Sequence, residues 1–316
     1  MIGSAPGRGS GADQWGKTMT PRSDAPIRRA RWGVAVLAAA LLVASGCSDG
    51  GDDEATTPDE ATETTDATET TTDDATETTE AEEEHEDPHF TYEGEEGPEH
   101  WAELSDEWAT CGSGTEQSPV DLTGAAEASD ADLPDIVFDY QPSGVALLDN
   151  GHTVQGVYDP GSGIELGGKR YELLQLHFHA HSEHTIDGAT TPLEIHFVHQ
   201  AEDESLAVVG VLIQEGAENP AYASIMDNLP TEVTEEPVPV DGATINAAAM
   251  LPEDATFFHY AGSLTTPPCS EGVSWQVMTT TIELSAEQIA AFTDHYANDF
   301  RPIQPLGERE LEVSAP

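Results

Sequence analysis

From about residue 136 onward, apolar and polar residues alternate in short runs that end at Gly, Pro, Asp or Asn. A period of two is that of a pleated strand, whose successive side chains point to opposite faces. The pattern predicts strands over Ile136 to Tyr140, Val145 to Leu148, His152 to Tyr158, Arg170 to His179, Leu193 to Val198, Leu206 to Gln214, Thr256 to Ala261 and Val273 to Ile282. Strands this short and this often interrupted build antiparallel sheets. Helical spacing is scarce. Ser285 to His295 offers Ser285 as N-cap with Gln288 three residues on, the arrangement of a capping box, and Asn219 to Leu229 is a second candidate. The expected fold is mainly β: a single domain built on a large, mostly antiparallel twisted central sheet with a few short surface helices.

The N-terminal part follows other rules. Residues 1–31 are polar and basic, and Trp32 to Val43 is an apolar run too short to span a bilayer. Together they read as a secretory signal. The run closes with Val43, Ala44, Ser45 and Gly46 before Cys47, which resembles a bacterial lipoprotein processing site with Ala44 in place of the usual leucine. This divides the chain into a signal peptide over 1–46, an acidic tether over 47–88 that begins with Cys47 as the lipidation residue, and a folded domain over 89–316. The expected location is the outer side of a cell membrane, at the surface or in the periplasm. The tether has no Lys or Arg between Ser48 and Pro88 and is rich in Thr, Glu and Asp. Such a stretch buries too little apolar surface to offset its ordering entropy.

The formal net charge of −51, from 61 acidic and 10 basic residues, argues against binding nucleic acid. Beyond Cys47 the cysteines are Cys111 and Cys269. In an exported domain such a pair favours one disulfide across a long loop.

The chemistry concentrates between Leu173 and Gln200. His177 and His179 share one strand face with Phe178 on the other. After a turn at Asp187-Gly188, Glu194 and His196 share a face of the next run, opposite Leu193, Ile195 and Phe197. A single strand histidine is ordinarily a satisfied polar residue. Three in phase on paired strands make a metal face, and three imidazoles with one open position are the ligand set of catalytic zinc. Gln175 and Glu194 lie two residues before His177 and His196, where a side chain can accept from the far ring nitrogen.

Five ordered segments then carry a resemblance to the α-class carbonic anhydrases, in particular their exported bacterial members, over roughly Phe90 to Arg309. They are Tyr92 to Trp101 with Gln117 to Val120, Asn150-Gly151-His152, Gln175 to His184 with Glu194 to His199, Ser263 to Cys269, and Arg301 to Leu306. The resemblance implies Zn2+ on His177, His179 and His196, and reversible hydration of carbon dioxide to bicarbonate and a proton through zinc-hydroxide attack. It implies that Thr265 orients the hydroxide with its own proton on Glu183, that Thr266 sits beside it, and that His152 shuttles the proton. Tyr92, Asn150 and Gln155 are implied to organise water, with Gln155 standing where many relatives have Asn. Val154, Val198, Val208, Leu264 and Trp275 are implied to line the substrate pocket, although valines on strands are as readily core. His184 and His199 match buried structural positions, and His181, in phase with the ligands, does not match one.

The implied partners are carbon dioxide and bicarbonate, with anions and sulfonamides as inhibitors. The lipid anchor makes the membrane a further partner, and relatives include both monomers and homodimers. A cupin-type metal enzyme shares the order HxH, Glu183, histidine, and would place Glu183 on iron or manganese. A zinc-capturing lipoprotein is the non-enzymatic alternative.

Overall fold

The computed structural model describes residues 88–122, 129–131 and 133–314. The expected signal peptide, Cys47 and the tether up to residue 87 lie outside the described residues. Thirteen strands occur among the described residues. They are β1 (Ser129–Ala131), β2 (Val137–Asp139), β3 (Ser143–Asp149), β4 (Val154–Val157), β5 (Gly163–Leu166), β6 (Lys169–His179), β7 (Leu193–Gln200), β8 (Leu206–Glu215), β9 (Val238–Ile245), β10 (Phe257–Ser263), β11 (Glu271–Met278), β12 (Ile282–Leu284) and β13 (Glu312–Ser314). All belong to one sheet, whose main path runs β1-β13-β10-β11-β8-β7-β6-β4-β3-β9. Helices are short: α1 (Trp101–Leu104), α2 (Thr110–Ser113), α3 (Pro220–Met226) and α4 (Ala286–Thr293), with three 3-10 turns. Among the described residues no helix is long and apolar enough to cross a membrane.

The long central strands form where alternation is strongest. β6, β7 and β8 pair antiparallel in sequence order; residues 201–205 join β7 to β8 as a short hairpin connection, whereas β6 and β7 are linked by the longer segment 180–192. The sheet is nonetheless mixed. β8 pairs in parallel with both β11 and β12, and β1 with β13. The single expected strand Val273 to Ile282 is two strands: β11 lies between β10 and β8, and after a break the chain resumes its pairing with β8 alone as β12, in a shifted register (Ser274 opposite Ala207, Ile282 opposite Ile213). The pattern missed four strands altogether, β1, β5, β9 and β13. β9 is mostly exposed on both faces and contains Pro239 and Gly242, so it shows no alternation to read.

One sheet face carries the larger core, with Leu176, Phe178, Ile195, Phe197 and Val211 packed with Tyr222, Ile225 and Phe292 from α3 and α4. α4 begins as expected: Ser285 Oγ accepts from Gln288 N–H, and Gln288 Oε1 accepts from Ser285 N–H. The same Gln288 donates to the carbonyl of Asn219, the N-cap of α3, so the two helix starts are tied together. The other sheet face bears a second cluster, including Val208, Leu212, Tyr260 and Trp275. A third gathers Trp101, Phe90 and Tyr92 around the disulfide Cys111–Cys269, which closes a sequence separation of 158 residues.

Candidate active site

The register of three strands assembles the site. His177 on β6 lies directly opposite His196 on β7, and His179 lies opposite Glu194. On the other side of β6, Gln155 on β4 lies opposite His177. On the far side of β7, Gly210 of β8 lies opposite His196. A Cβ at Gly210 would come within 3.0 Å of Glu194 Oε1, so the glycine leaves room for that carboxylate. The sequence signal for this was a glycine inside an unbroken apolar strand.

The three imidazole rings stand with centroids 4.8 to 5.1 Å apart. Their far nitrogens are all taken by acceptors. His177 Nδ1 donates to Gln175 Oε1 at 2.9 Å, His179 Nδ1 to the Asp299 carbonyl at 2.6 Å, and His196 Nε2 to Glu194 Oε1 at 2.9 Å. A neutral imidazole has one N–H, so each ring turns a lone pair toward the other two. The three facing atoms lie within 4.8 Å of one another. Burial pushes His177 well below its ordinary pKa and His196 to about 4, which keeps both rings unprotonated near neutral pH. His179 Nε2 is buried with no hydrogen-bond partner in the protein. Converging, desolvated lone pairs without a proton donor fit a divalent cation of the zinc class, with no thiolate in the set.

Glu194 is the hub behind this trio. It is fully buried and accepts from His196 Nε2, from His184 Nδ1 at 2.7 Å and from His184 N–H at 2.8 Å. Burial raises its pKa, but His184 and His196 outweigh that and hold the carboxylate well below its usual range. His184, Glu194 and His196 also satisfy the spacing of a metal group. Their hydrogen bonds to one another, and His184 Nε2 against Tyr260 Oη at 2.6 Å, already account for those atoms.

Glu183 lies beside the trio rather than in it. Its Oε2 is 3.6 Å from His179 Nε2 and 4.0 Å from His196 Nδ1. Its Oε1 accepts from Arg301 N–H at 2.8 Å, and the Thr265 hydroxyl donates to the same carboxylate. Burial raises its pKa to about 8.

His177, His179 and His196 floor a cavity of about 220 Å³. Val198, Val208, Leu264 and Trp275 form its apolar wall, while Tyr92, Asn150, His152, Gln155, Gln175, Thr265 and Thr266 supply polar groups. Tyr92 Oη is buried and without a protein partner. His152 stands at the rim, half-buried, its ring stacked on Phe90 at 3.8 Å and its Nε2 3.0 Å from the Phe90 carbonyl. Burial lowers its pKa.

One expected pocket residue is misplaced. Val154 is fully buried in the core on the opposite sheet face and does not line the cavity. Gln155 faces the cavity, and adjacent strand residues point to opposite sides, so both cannot reach it. His181 takes no part in the metal face; its ring sits edge-on to Phe300. His199 is buried against Tyr140 Oη at 2.8 Å, a structural role. Sequence reasoning missed Phe90, Asp299 and Gly210.

Residues 96–315 match the family described as eukaryotic-type carbonic anhydrase. Over 223 residues the chain is 44% identical to a carbonic anhydrase of Nostoc sp., covering 69% of this chain and 83% of that protein. Among solved structures, a hyperthermostable carbonic anhydrase identified from an active hydrothermal vent chimney superposes with TM-score 0.67 and 43% identity, over 72% of this chain and 100% of that one. An α-carbonic anhydrase of Thermovibrio ammonificans, in complex with the inhibitor sulfanilamide, superposes with TM-score 0.68 and 38% identity, over 72% and 99%.

Proposed function

The chain belongs to the eukaryotic-type, or α-class, carbonic anhydrases, and on that premise we propose that its histidine cavity holds zinc and interconverts carbon dioxide with bicarbonate and a proton. The observation that carries this reading is the trio of lone pairs on His177, His179 and His196, each fixed by an acceptor on the ring's other nitrogen. Zinc supplies the nucleophile by lowering the pKa of a bound water to about 7, a value for which carbonic anhydrases are themselves the reference case.

The chain's own residues do the rest. Thr265 has its proton committed to Glu183, so toward the cavity its oxygen acts as an acceptor and orients a water O–H placed against it. Arg301 N–H fixes the Glu183 carboxyl, and a nearby dication favours its ionised form over the protonated one that burial alone favours. Thr266 lines the same wall. Val198, Val208, Leu264 and Trp275 suit uncharged carbon dioxide and give bicarbonate little to hold. His152 accepts the leaving proton at the cavity rim and, unprotonated near neutral pH, is ready for it. Tyr92, Asn150 and Gln155 organise the intervening water. The sulfanilamide complex of the Thermovibrio relative supports inhibition of this chain by sulfonamides.

The same proposal places the enzyme outside the cytoplasm, exported by residues 1–46 and anchored through a lipid on Cys47. Cys47→Ser is expected to move the protein from the membrane fraction to the soluble exported fraction. An unchanged distribution refutes the anchor.

The deciding experiment is stopped-flow carbon dioxide hydration with metal quantified on the same sample, for wild type and His196→Ala. Zinc at one per chain with sulfonamide-sensitive hydration, both lost in the variant, is the expected result. Zinc without hydration makes the protein a zinc binder. Iron or manganese lost on Glu183→Gln makes it a cupin-type site.

A further inference from the structure

The turn that presents His152 is clamped from outside the cavity. Asp149 ends β3, and its side chain is 2% exposed. Its Oδ1 accepts from Tyr296 Oη–H at 2.5 Å and from Gly151 N–H at 2.9 Å, and its Oδ2 accepts from His295 Nε2 at 2.6 Å. Both aromatic donors lie just past α4, where their backbone N–H groups bond the Phe292 carbonyl at 2.9 and 2.8 Å. The backbone of Asp149 is held as well, donating to Thr234 Oγ1 at 3.2 Å and accepting from Thr234 N–H at 2.8 Å.

The restraint passes directly to the shuttle. Gly151, which Asp149 grips, has φ +84°, a left-handed conformation that a side chain would strain. Asn150 Oδ1 accepts from the N–H of both His152 and Thr153 at 2.9 Å, and Thr153 Oγ1 donates to the Phe178 carbonyl on β6 at 2.6 Å. His152 is thereby set in a wall between two spaces, the cavity described above and an outer crevice of about 210 Å³ shared with His89, His295 and Asn298. Asp149 itself lines neither. Pairing of β3 with β4 already reaches Asp149 through Val154, so the strand end needs no further anchor.

The geometry points to Asp149, gripped by His295 and Tyr296, as the positioning residue of the proton shuttle: it locks the Asn150-Gly151 turn so that the His152 ring bridges cavity and crevice. Burial raises the pKa of Asp149, but the bonds from Tyr296, His295 and Gly151 N–H outweigh it and hold the carboxyl below its usual range. An ionised carboxylate accepts only, which is what three converging donors require. The inference rests on the shuttle role proposed for His152.

Export of the proton follows release of bicarbonate, so it enters kcat and leaves kcat/KM untouched. The test is stopped-flow hydration of zinc-loaded Asp149→Asn, Tyr296→Phe and His152→Ala, in a bulky buffer and again with imidazole, which is small enough to enter the cavity. Zinc content and the NMR signals of the His152 ring are followed alongside. In Asp149→Asn, kcat in bulky buffer is expected to fall about tenfold, a fraction of what a general acid–base group supplies. Its kcat/KM should stay within about twofold, imidazole should restore kcat, and the His152 ring signals should broaden or shift at full zinc content. Tyr296→Phe, a milder change that decides the matter should Asp149→Asn not fold, is expected to show the same split at smaller amplitude. An unchanged kcat beside a loss in His152→Ala overturns the inference. So does a joint fall of kcat and kcat/KM without rescue by imidazole. Full kcat in His152→Ala overturns the shuttle reading itself, and the inference with it.

Discussion

Replacing Glu194 by Gln changes one atom and tests the support behind the metal face. In the native protein the two carboxylate oxygens take three donors: His196 Nε2 and His184 Nδ1 on Oε1, and His184 N–H on Oε2. An amide cannot satisfy all three. With its oxygen at the Oε1 place, its NH2 faces the His184 N–H, and a fully buried donor loses its partner at a cost of about 1–3 kcal/mol. With the amide reversed, both rings meet an N–H donor and must change tautomer. His196 would then carry its proton on Nδ1, the nitrogen that faces His177 and His179. Either arrangement also removes the charge that His184 and His196 stabilise. Taken together these set a loss of about 2–4 kcal/mol for the zinc-free protein, or a Tm lower by roughly 5–15 °C for a domain of this size. Zinc release to a chelator should quicken by about 10–100-fold, the usual effect of losing an acceptor behind a ligand. Calorimetry of the zinc-free protein and chelator-competition kinetics measure the two effects. A Tm within about 2 °C of wild type with unaltered zinc release would show that Glu194 neither stabilises the fold nor sets the His196 tautomer.

Two further outcomes follow from groups away from the metal. Removing the disulfide with Cys111→Ser and Cys269→Ser together frees a loop spanning 158 residues. The chain-entropy relation gives about 5 kcal/mol for it, hence a Tm loss of roughly 10–20 °C; a shift under about 4 °C by calorimetry refutes that origin. His199 is held neutral by burial, with a pKa of about 3 in the fold against about 6.5 when unfolded. The unfolded chain therefore binds the extra proton first as pH falls. The stability this group contributes is complete above about pH 6.5 and is lost toward pH 3, at up to about 1.4 kcal/mol per pH unit. Denaturant melts of wild type and His199→Gln across that window check it, since Gln brings an amide donor and acceptor to the place where His199 meets Tyr140 and the Ala207 carbonyl, without the titration. Parallel pH profiles would remove His199 from the account.

Much of the site was legible because strand alternation is a local rule. The phase of His177, His179 and His196 along two runs, with a turn between, requires only that the runs pair, and β6 and β7 pair with His177 facing His196. Gln175 and Glu194 were readable on the same ground, two residues from the rings they orient. The same rule, applied consistently, excludes Val154 once Gln155 is given to the cavity. The capping box of α4 was visible for an equally local reason, since Ser285 and Gln288 are one helical turn apart.

By itself, then, the sequence determined which residues share a face, where α3 and α4 start, which chemistry the face carries and, through five ordered segments, the family; α1 and α2 it did not announce. Only the tertiary structure decided which remote groups complete that face. The acceptor behind His179 is the carbonyl of Asp299, 120 residues away; Glu183 takes, beside the Thr265 hydroxyl, the backbone N–H of Arg301; the clamp on the His152 turn comes from His295 and Tyr296. Backbone carbonyls and N–H groups are the same in every residue, so no pattern of side chains announces them. Their roles arise only when the folded chain brings residues 299–301 against the C-terminal end of β6 and the Glu183 that follows it.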